Sequence, residues 1–514
     1  MPTGIAHWIG SWARLQPDRP LLTFRGRTTT WAEFDRRVDA LARGLHRLGV
    51  GRGDRVACLM HNRPEFLELF WATVRLGALF APVNVRLAPP ELQYVISDLD
   101  PAVIATEEAF APTATGLQGS GAVPGGAVWL SADPTPSIRA TPLDALPVDG
   151  PLPAVVPEAT DPAAVLYTSG TTGRPKGAVL SHGNIHAQAA NWVLSFGLTR
   201  TDRQLMFLPL CFTGGLISAS MNTFYSGASM VLEPDFDPAA LLADIERERP
   251  TWFTAVPAMM QRLFEHPDAP RTDLSSLTMI ESGGAAVPVP LIEKVRGMGL
   301  ELIQGYGITE GSGGVNLYLQ EWEGTRKPGS CGKAGGVYGD ARIVRPDGTE
   351  CDPGEIGELL IDGPLVFQGY WRNDAATAET LVDGWLHTGD LARFDEEGFV
   401  YLSGRLKEMI NSGGLNVYPA EVEAALVTLP DVSEVAVVGL PDERWGQVVA
   451  AFVVPRPGTE PDPETIRCQA RALLADYKVP KTVCLVDDLP RTTSNKVLKR
   501  VLVEQATRDL AVSP

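Results

Sequence analysis

A multi-domain α/β fold is predicted from three observations: the length of 514 residues, a recurring alternation of helix-period and strand-like apolar runs, and a later switch to short strands punctuated by turns. Domains hold roughly 100–200 residues each, so this length calls for several cores. The alternation begins early, with helical spacing over residues 31–48, an apolar strand at 54–60 and a second helix at 65–79. Residues 110–161 are rich in Ala, Pro, Gly and Thr and read largely as surface loop, apart from a strand-like stretch at 128–130. A second α/β layer follows, with strands at 163–168, 178–180, 204–208, 229–232 and 251–256 and helices from 184 and over 238–248.

Between 332 and 404 the turn pairs Asp347-Gly348, Pro353-Gly354, Asp383-Gly384 and Glu397-Gly398 separate short strands, the pattern of a small antiparallel barrel. The last hundred or so residues carry their own helices (419–426, 463–475) and strands (435–439, 448–454), enough for an independent α+β domain. The predicted architecture is two α/β layered subdomains plus a small β-barrel within residues 1–403, then a small α+β domain over 408–514.

Composition narrows the function classes. Sixty-two acidic against 44 basic residues give a formal charge of -18, which repels polyanions and argues against nucleic-acid binding. Any anionic ligand must find local positive groups. Hydrophobic residues at 44% and charged residues at 21% describe a globular chain with no apolar run of membrane-spanning length, so stable membrane association is not expected. Trp8, Trp12, Arg14 and Asp18 in the first twenty residues fit neither a secretory signal nor an acid-poor transit peptide, and a cytoplasmic location is the expectation. The six cysteines lie far apart without a CxxC pair, and no His cluster has ligand spacing, so reduced thiols are expected.

The most informative stretch is Tyr167-Thr-Ser-Gly-Thr-Thr-Gly-Arg-Pro-Lys-Gly177. Thr168, Ser169, Gly170, Thr171, Thr172 and Gly173 alternate hydroxyls with glycines, so backbone N–H and side-chain O–H groups can surround a phosphate chain, and Lys176 adds a point charge. A Walker loop is excluded, because no Gly-Lys-Ser/Thr follows at the required spacing and the chain leaves by a strand. Further along stand Gln304-Gly-Tyr-Gly-Ile-Thr-Glu310, Gly384-Trp-Leu-His-Thr-Gly-Asp390, Gly404-Arg-Leu-Lys-Glu-Met-Ile410, Ser412-Gly-Gly-Leu-Asn-Val-Tyr-Pro419 and Pro490-Arg-Thr-Thr-Ser-Asn-Lys496.

In this order the motifs resemble those of the adenylate-forming superfamily, which includes acyl- and aryl-CoA synthetases, luciferases and peptide-synthetase adenylation domains. The resemblance covers essentially the whole chain and is of the acid–thiol ligase type. It implies ATP, Mg2+ and coenzyme A, with a small carboxylic acid as substrate. By resemblance, Gln304, Gly305, Tyr306 and Gly307 line the nucleotide site with Tyr306 stacked on adenine, Thr309 touches phosphate, and Glu310 holds the metal, a fitting task for a carboxylate facing a triphosphate. Gly283, Gly284 and Ala285 would lie beneath adenine and acyl chain, where missing side chains admit close backbone approach. Asp390 would accept from both ribose hydroxyls, with Arg405 beside it.

The resemblance also places a hinge at residues 404–407, centred on Lys407, about which a mobile lid alternates between two faces. One face would carry Lys496, stabilising charge as the carboxylate attacks the α-phosphorus. The other would bring Ser412, Gly413 and Gly414 over the adenylate, opening a tunnel for the pantetheine thiol. The acyl pocket is expected near Phe212, Gly214, Gly215, Val256, Gly283, Ile308 and Val315, where many small side chains leave room for a bulky acid.

Two residues depart from the pattern. Phe212 stands where the family usually has a histidine, and Asn495 where a glycine usually precedes the catalytic lysine. Both bear on adenylation, so one alternative is a thioester-forming enzyme that mainly consumes a preformed acyl-adenylate. Another is a catalytically silent nucleotide- or acyl-binding regulatory protein, against which the joint presence of Lys176, Glu310, Asp390, Arg405 and Lys496 argues. No carrier segment with a phosphopantetheine serine is read in the chain, which leaves a separate carrier or partner ligase open, as it leaves open monomer or homodimer.

Overall fold

Apolar strands that must be covered on both faces dictate how the body of the chain is layered. The computed structural model describes residues 4–168, 174–285, 287–314, 317, 326–333, 339–413, 415–442, 444–491 and 497–512. It divides into two units: Met1–Arg342 with Leu360–Thr388 and Gly398–Val400, and Ile343–Leu359 with Gly389–Glu397 and Tyr401–Pro514.

The first unit holds two large sheets. One runs, in spatial order, Leu302–Gln304, Met279–Ser282, Trp252–Ala255, Arg203–Met206, Ser229–Leu232, Pro20–Phe24 and Arg27–Thr30. Every pair is parallel except the last, a hairpin in which Thr23 lies opposite Thr28. The second sheet runs Gly369–Tyr370, Lys176–Ser181, Pro162–Thr168, Leu79–Pro82, Arg55–Leu59, Val103–Thr106, Val128–Ser131 and Thr141–Pro142. Its central strands are parallel and, Arg55 apart, buried, as crossover helices on both faces require. Trp31, Trp71, Phe34, Phe66, Phe70 and Phe224 fill the helical layer and are fully buried, and Trp71 meets Phe224 edge-on with centroids 5.0 Å apart.

The helix Pro238–Glu248 occupies the predicted residues because its ends are strongly specified. Asp237 accepts from the Ala240 N–H at 3.0 Å, proline sits in the first turn, and Arg249 stops it in the left-handed region at φ 50°. Two expectations fail locally. The helix predicted over 65–79 is Pro64–Arg75, and Leu79–Pro82 is a strand, because Gly77 turns the chain at φ +68°. Within the stretch read as loop, Ala111–Gly119 is a helix whose Ala111, Ala114 and Leu117 are buried, so packing overrides two glycines. The strands predicted between 332 and 404 are divided between the units: in the first, Leu381 and Val382 face Leu386 and Trp385 in an antiparallel pair.

The second unit has its own sheet, in which Val432–Asp442 and Gly446–Pro455 form a long antiparallel pair flanked by Ile410–Ser412 and Thr482–Leu485. Alternate residues of these strands feed opposite faces. Val437 and Ala451 pack with Leu426 and Ile466 from Pro419–Leu426 and Pro463–Leu473, while Ala436 and Phe452 pack with Leu502 from Lys499–Val512.

Candidate active site

Open parallel sheets present ligands at the carboxyl ends of their strands. Four neighbouring strands of the first sheet deliver the predicted residues there. Phe212, Gly214 and Gly215 follow Arg203–Met206, Val256 follows Trp252–Ala255, Gly283 to Ala285 follow Met279–Ser282, and Gly305 to Glu310 follow Leu302–Gln304.

Close packing explains the glycines. A Cβ on Gly307 would lie 2.3 Å from the Gly313 carbonyl oxygen, and one on Gly215 would lie 2.3 Å from that of Pro209. The Gln304 side chain accepts from Val287 N–H at 3.2 Å and donates to the Ser330 carbonyl at 3.1 Å, so it fixes the 283–287 turn beside its own strand. Gly284 holds φ +78°, and Tyr306 is buried. Beyond Ile308, Thr309 shares a hydrogen bond of 2.8 Å with the hydroxyl of Thr213, tying two of the strand-end segments together.

Lys176 opens the strand that follows the loop expected to bind phosphate and is paired in register with Thr168. Its ammonium stands 4.9 Å from the ring centroid of Tyr370, and the Tyr370 hydroxyl donates to Glu310 Oε1 at 2.7 Å. Glu310 is held from its backbone too, since Phe367 N–H donates to its carbonyl at 2.8 Å. One aromatic ring thus joins the lysine of the loop to the carboxylate predicted to bind metal. Tyr370 was not among the residues singled out from sequence; the signal lay in Gly369-Tyr370, whose strand pairs with Lys176–Ser181.

Among the described residues no group of three or more His, Cys, Asp or Glu side chains could hold a metal ion. Mg2+ bound to a nucleotide takes one or two carboxylates plus phosphates and waters and needs no protein cage. Glu310, the residue expected from the sequence to hold it, accepts from a phenol at one oxygen.

Cys211, next to Phe212, is buried, and burial pushes its thiol up to about 11, so it is not a nucleophile at neutral pH. Glu281, two residues before Gly283, is fully buried, and burial raises its carboxyl to about 8.

In the second unit Arg405 Nε meets Asp390 Oδ1 at 2.7 Å, and the aspartate is buried. Lys407 lies exposed in the short turn Leu406–Glu408. Ser412 ends the strand Ile410–Ser412, and Gly413 holds φ +62° with a Cβ position only 2.4 Å from the Trp445 ring. Ser169, Gly170, Thr171, Thr172, Gly173, Val315, Gly414 and Lys496, with Asn495, lie outside the described residues.

Family profiles match in two stretches, one described as AMP-binding enzyme over residues 10–371 and one as AMP-binding enzyme C-terminal domain over residues 421–496. The chain is 40% identical over 497 residues to a feruloyl-CoA synthase of an Amycolatopsis species, covering 96% of this chain and 97% of that protein. It is also 40% identical over 515 residues to the indoleacetate–CoA ligase of Aromatoleum aromaticum, covering 98% and 99% respectively. Its fold superimposes with a TM-score of 0.87, at 31% identity, on the O-succinylbenzoate coenzyme A synthetase from Bacillus subtilis in complex with ATP and magnesium ion, covering 97% of this chain and 99% of that one.

Proposed function

The chain belongs to the AMP-binding enzyme family, and from that premise we infer that it is an AMP-forming acyl-CoA ligase: acid and ATP give acyl-AMP and pyrophosphate, then coenzyme A displaces AMP. The observation that carries the reading is the Lys176–Tyr370–Glu310 arrangement beside glycine-walled strand ends. In this reading Lys176 neutralises phosphate oxygens, and Thr309, whose hydroxyl is oriented by that of Thr213, contacts the same chain. The metal, when bound, offsets charge on the departing pyrophosphate. Attack by the substrate carboxylate on the α-phosphorus forms the mixed anhydride, with Lys496 offsetting charge at the reacting phosphate. The thiolate of coenzyme A then attacks the acyl carbonyl and AMP leaves.

The finer reading is a lid of residues 408–514 that turns about Lys407 and offers Lys496 for the first step and the Ser412–Gly414 segment for the second. Asp390, oriented by Arg405, takes the ribose hydroxyls. Aryl acids are the proposed substrates, supported by the aromatic acids named for the two relatives and by the small side chains at 214, 215, 283 and 305. The alternatives of a preformed-adenylate enzyme or a silent binding protein are not favoured, because the relatives are named as CoA ligases. No helix among the described residues is long and apolar enough to cross a membrane. Following AMP release and thioester formation over a panel of aryl and aliphatic acids tests the reading. An aryl acid turned over with one AMP per thioester supports it, and exclusive use of aliphatic acids overturns the aryl assignment.

A further inference from the structure

Glu281 has no part in the chemistry above, yet it lies at the carboxyl edge of the strand Met279–Ser282, among the residues that receive the substrate. Its strand neighbours in register are Thr254 and Ile303, and on the same face Met279, Trp252 and Ile303 make an apolar strip. A carboxyl at the end of such a strip is costly to bury without partners. Among the described residues its buried Oε2 has no hydrogen-bond partner of normal geometry; burial raises the carboxyl's pKa, and the hydroxyl of the facing Thr254 acts to lower it by less. Oε1 stands 3.1 Å from where a Cβ on Gly283 would be and 3.0 Å from where one on Gly305 would be. Gly283 is predicted to lie beneath adenine and acyl chain, and Gly305 to line the nucleotide site. The carboxyl therefore lies directly behind two residues without side chains, and a Cβ at either position would make it give way by a few tenths of an ångström.

We propose that Glu281 is a specificity-determining residue of the acyl pocket, selecting acids that carry an O–H or N–H donor on the ring distal to the reacting carboxylate. Buried polar groups in proteins are nearly always satisfied, and a bound donor would satisfy the orphaned oxygen. Burial keeps the carboxyl largely protonated near neutral pH, so an aryl hydroxyl can both donate to it and accept from it. An acid lacking the donor would leave the oxygen orphaned and be rejected, which is how sites built for one hydroxyl discriminate strongly.

The proposal rests on the ligase reading, and its test separates the two. Thioester formation is measured for wild-type enzyme with matched acids, cinnamic acid against its 2-, 3- and 4-hydroxy and 4-amino derivatives, and again for Glu281→Leu and Glu281→Gln. Wild type is expected to favour at least one donor-bearing acid by about tenfold or more in kcat/KM. Glu281→Leu brings that ratio to near one through the acid's KM, with the KM for ATP unchanged. Glu281→Gln, close to isosteric, keeps part of the preference. A wild-type ratio near one overturns the proposal without any variant, as does a ratio that survives in Glu281→Leu or, should that variant fail to fold, an abolished ratio for every acid in Glu281→Gln accompanied by a raised KM for ATP. Absence of thioester from every acid counts against the ligase reading instead.

Discussion

Replacing Tyr370 by phenylalanine removes one hydroxyl and leaves the ring beneath Lys176, which isolates the 2.7 Å bond to Glu310. A hydrogen bond to a charged group contributes about 1.5–3 kcal/mol. If that bond holds Glu310 in the geometry that the metal requires, its loss lowers adenylation by about tenfold to about a hundredfold, at roughly 1.4 kcal/mol per factor of ten. The effect should appear in ATP–pyrophosphate exchange as a weaker apparent affinity for magnesium. Thioester formation from a preformed acyl-adenylate should be unchanged, because in the proposed function the metal and Glu310 serve the first step alone. Tyr370→Leu also removes the cation–π contact and should cost about a further 0.5–2 kcal/mol. The reasoning is refuted if Tyr370→Phe exchanges within twofold of wild type at every magnesium concentration, or faster, since a faster variant means that the phenol restrains Glu310 away from the metal.

Gly307→Ala places a methyl 2.3 Å from the Gly313 carbonyl oxygen and must displace the turn bearing Thr309 and Glu310, so a stability loss of about 1–3 kcal/mol with a larger loss of adenylation is expected in melting and exchange assays. His182 is buried, and burial lowers its pKa from 6.5 to about 4. Between those values the unfolded chain binds a proton that the folded chain refuses, so stability falls as pH drops through the window, by at most about 3 kcal/mol. Chemical denaturation at pH 7 and pH 4.5 should show a smaller difference in His182→Gln than in wild type. Lys499 joins Glu408 at 3.0 Å and Glu423 at 2.8 Å within the second unit. Lys499→Met leaves two partly exposed carboxylates facing each other, a loss of about 1–3 kcal/mol after screening, most of which Lys499→Arg restores.

How legible each element was followed from where its information resides. Local signals sufficed for Pro238–Glu248, whose Asp237 cap and flanking proline are written in the sequence. They failed for Ala111–Gly119, a helix with Gly116 inside it that is stabilised by burying Ala114 and Leu117 against the rest of the unit. The glycine-rich segments announced themselves because backbone proximity demands an unusual composition, and the 2.3 Å clearances at Gly215 and Gly307 show that demand in atoms. Tyr370 and Thr213 were invisible for the opposite reason. A tyrosine in a strand and a threonine in a loop are ordinary, and only the pairing of Tyr370 with Glu310 and of Thr213 with Thr309, 60 and 96 residues away in sequence, gives them a role. Glu281 was a missed signal, a lone acid in the buried run Met279–Ser282.

The claim on which the account depends is that one chain applies separate tools to two successive reactions of a single acyl-adenylate. Lys496→Ala, assayed from acid plus ATP and separately from synthetic acyl-AMP plus coenzyme A, tests it most directly. The account predicts that adenylation falls by about a hundredfold or more while thioester formation from the synthetic adenylate stays within a few-fold of wild type. Equal losses in both reactions, or none in either, would contradict it.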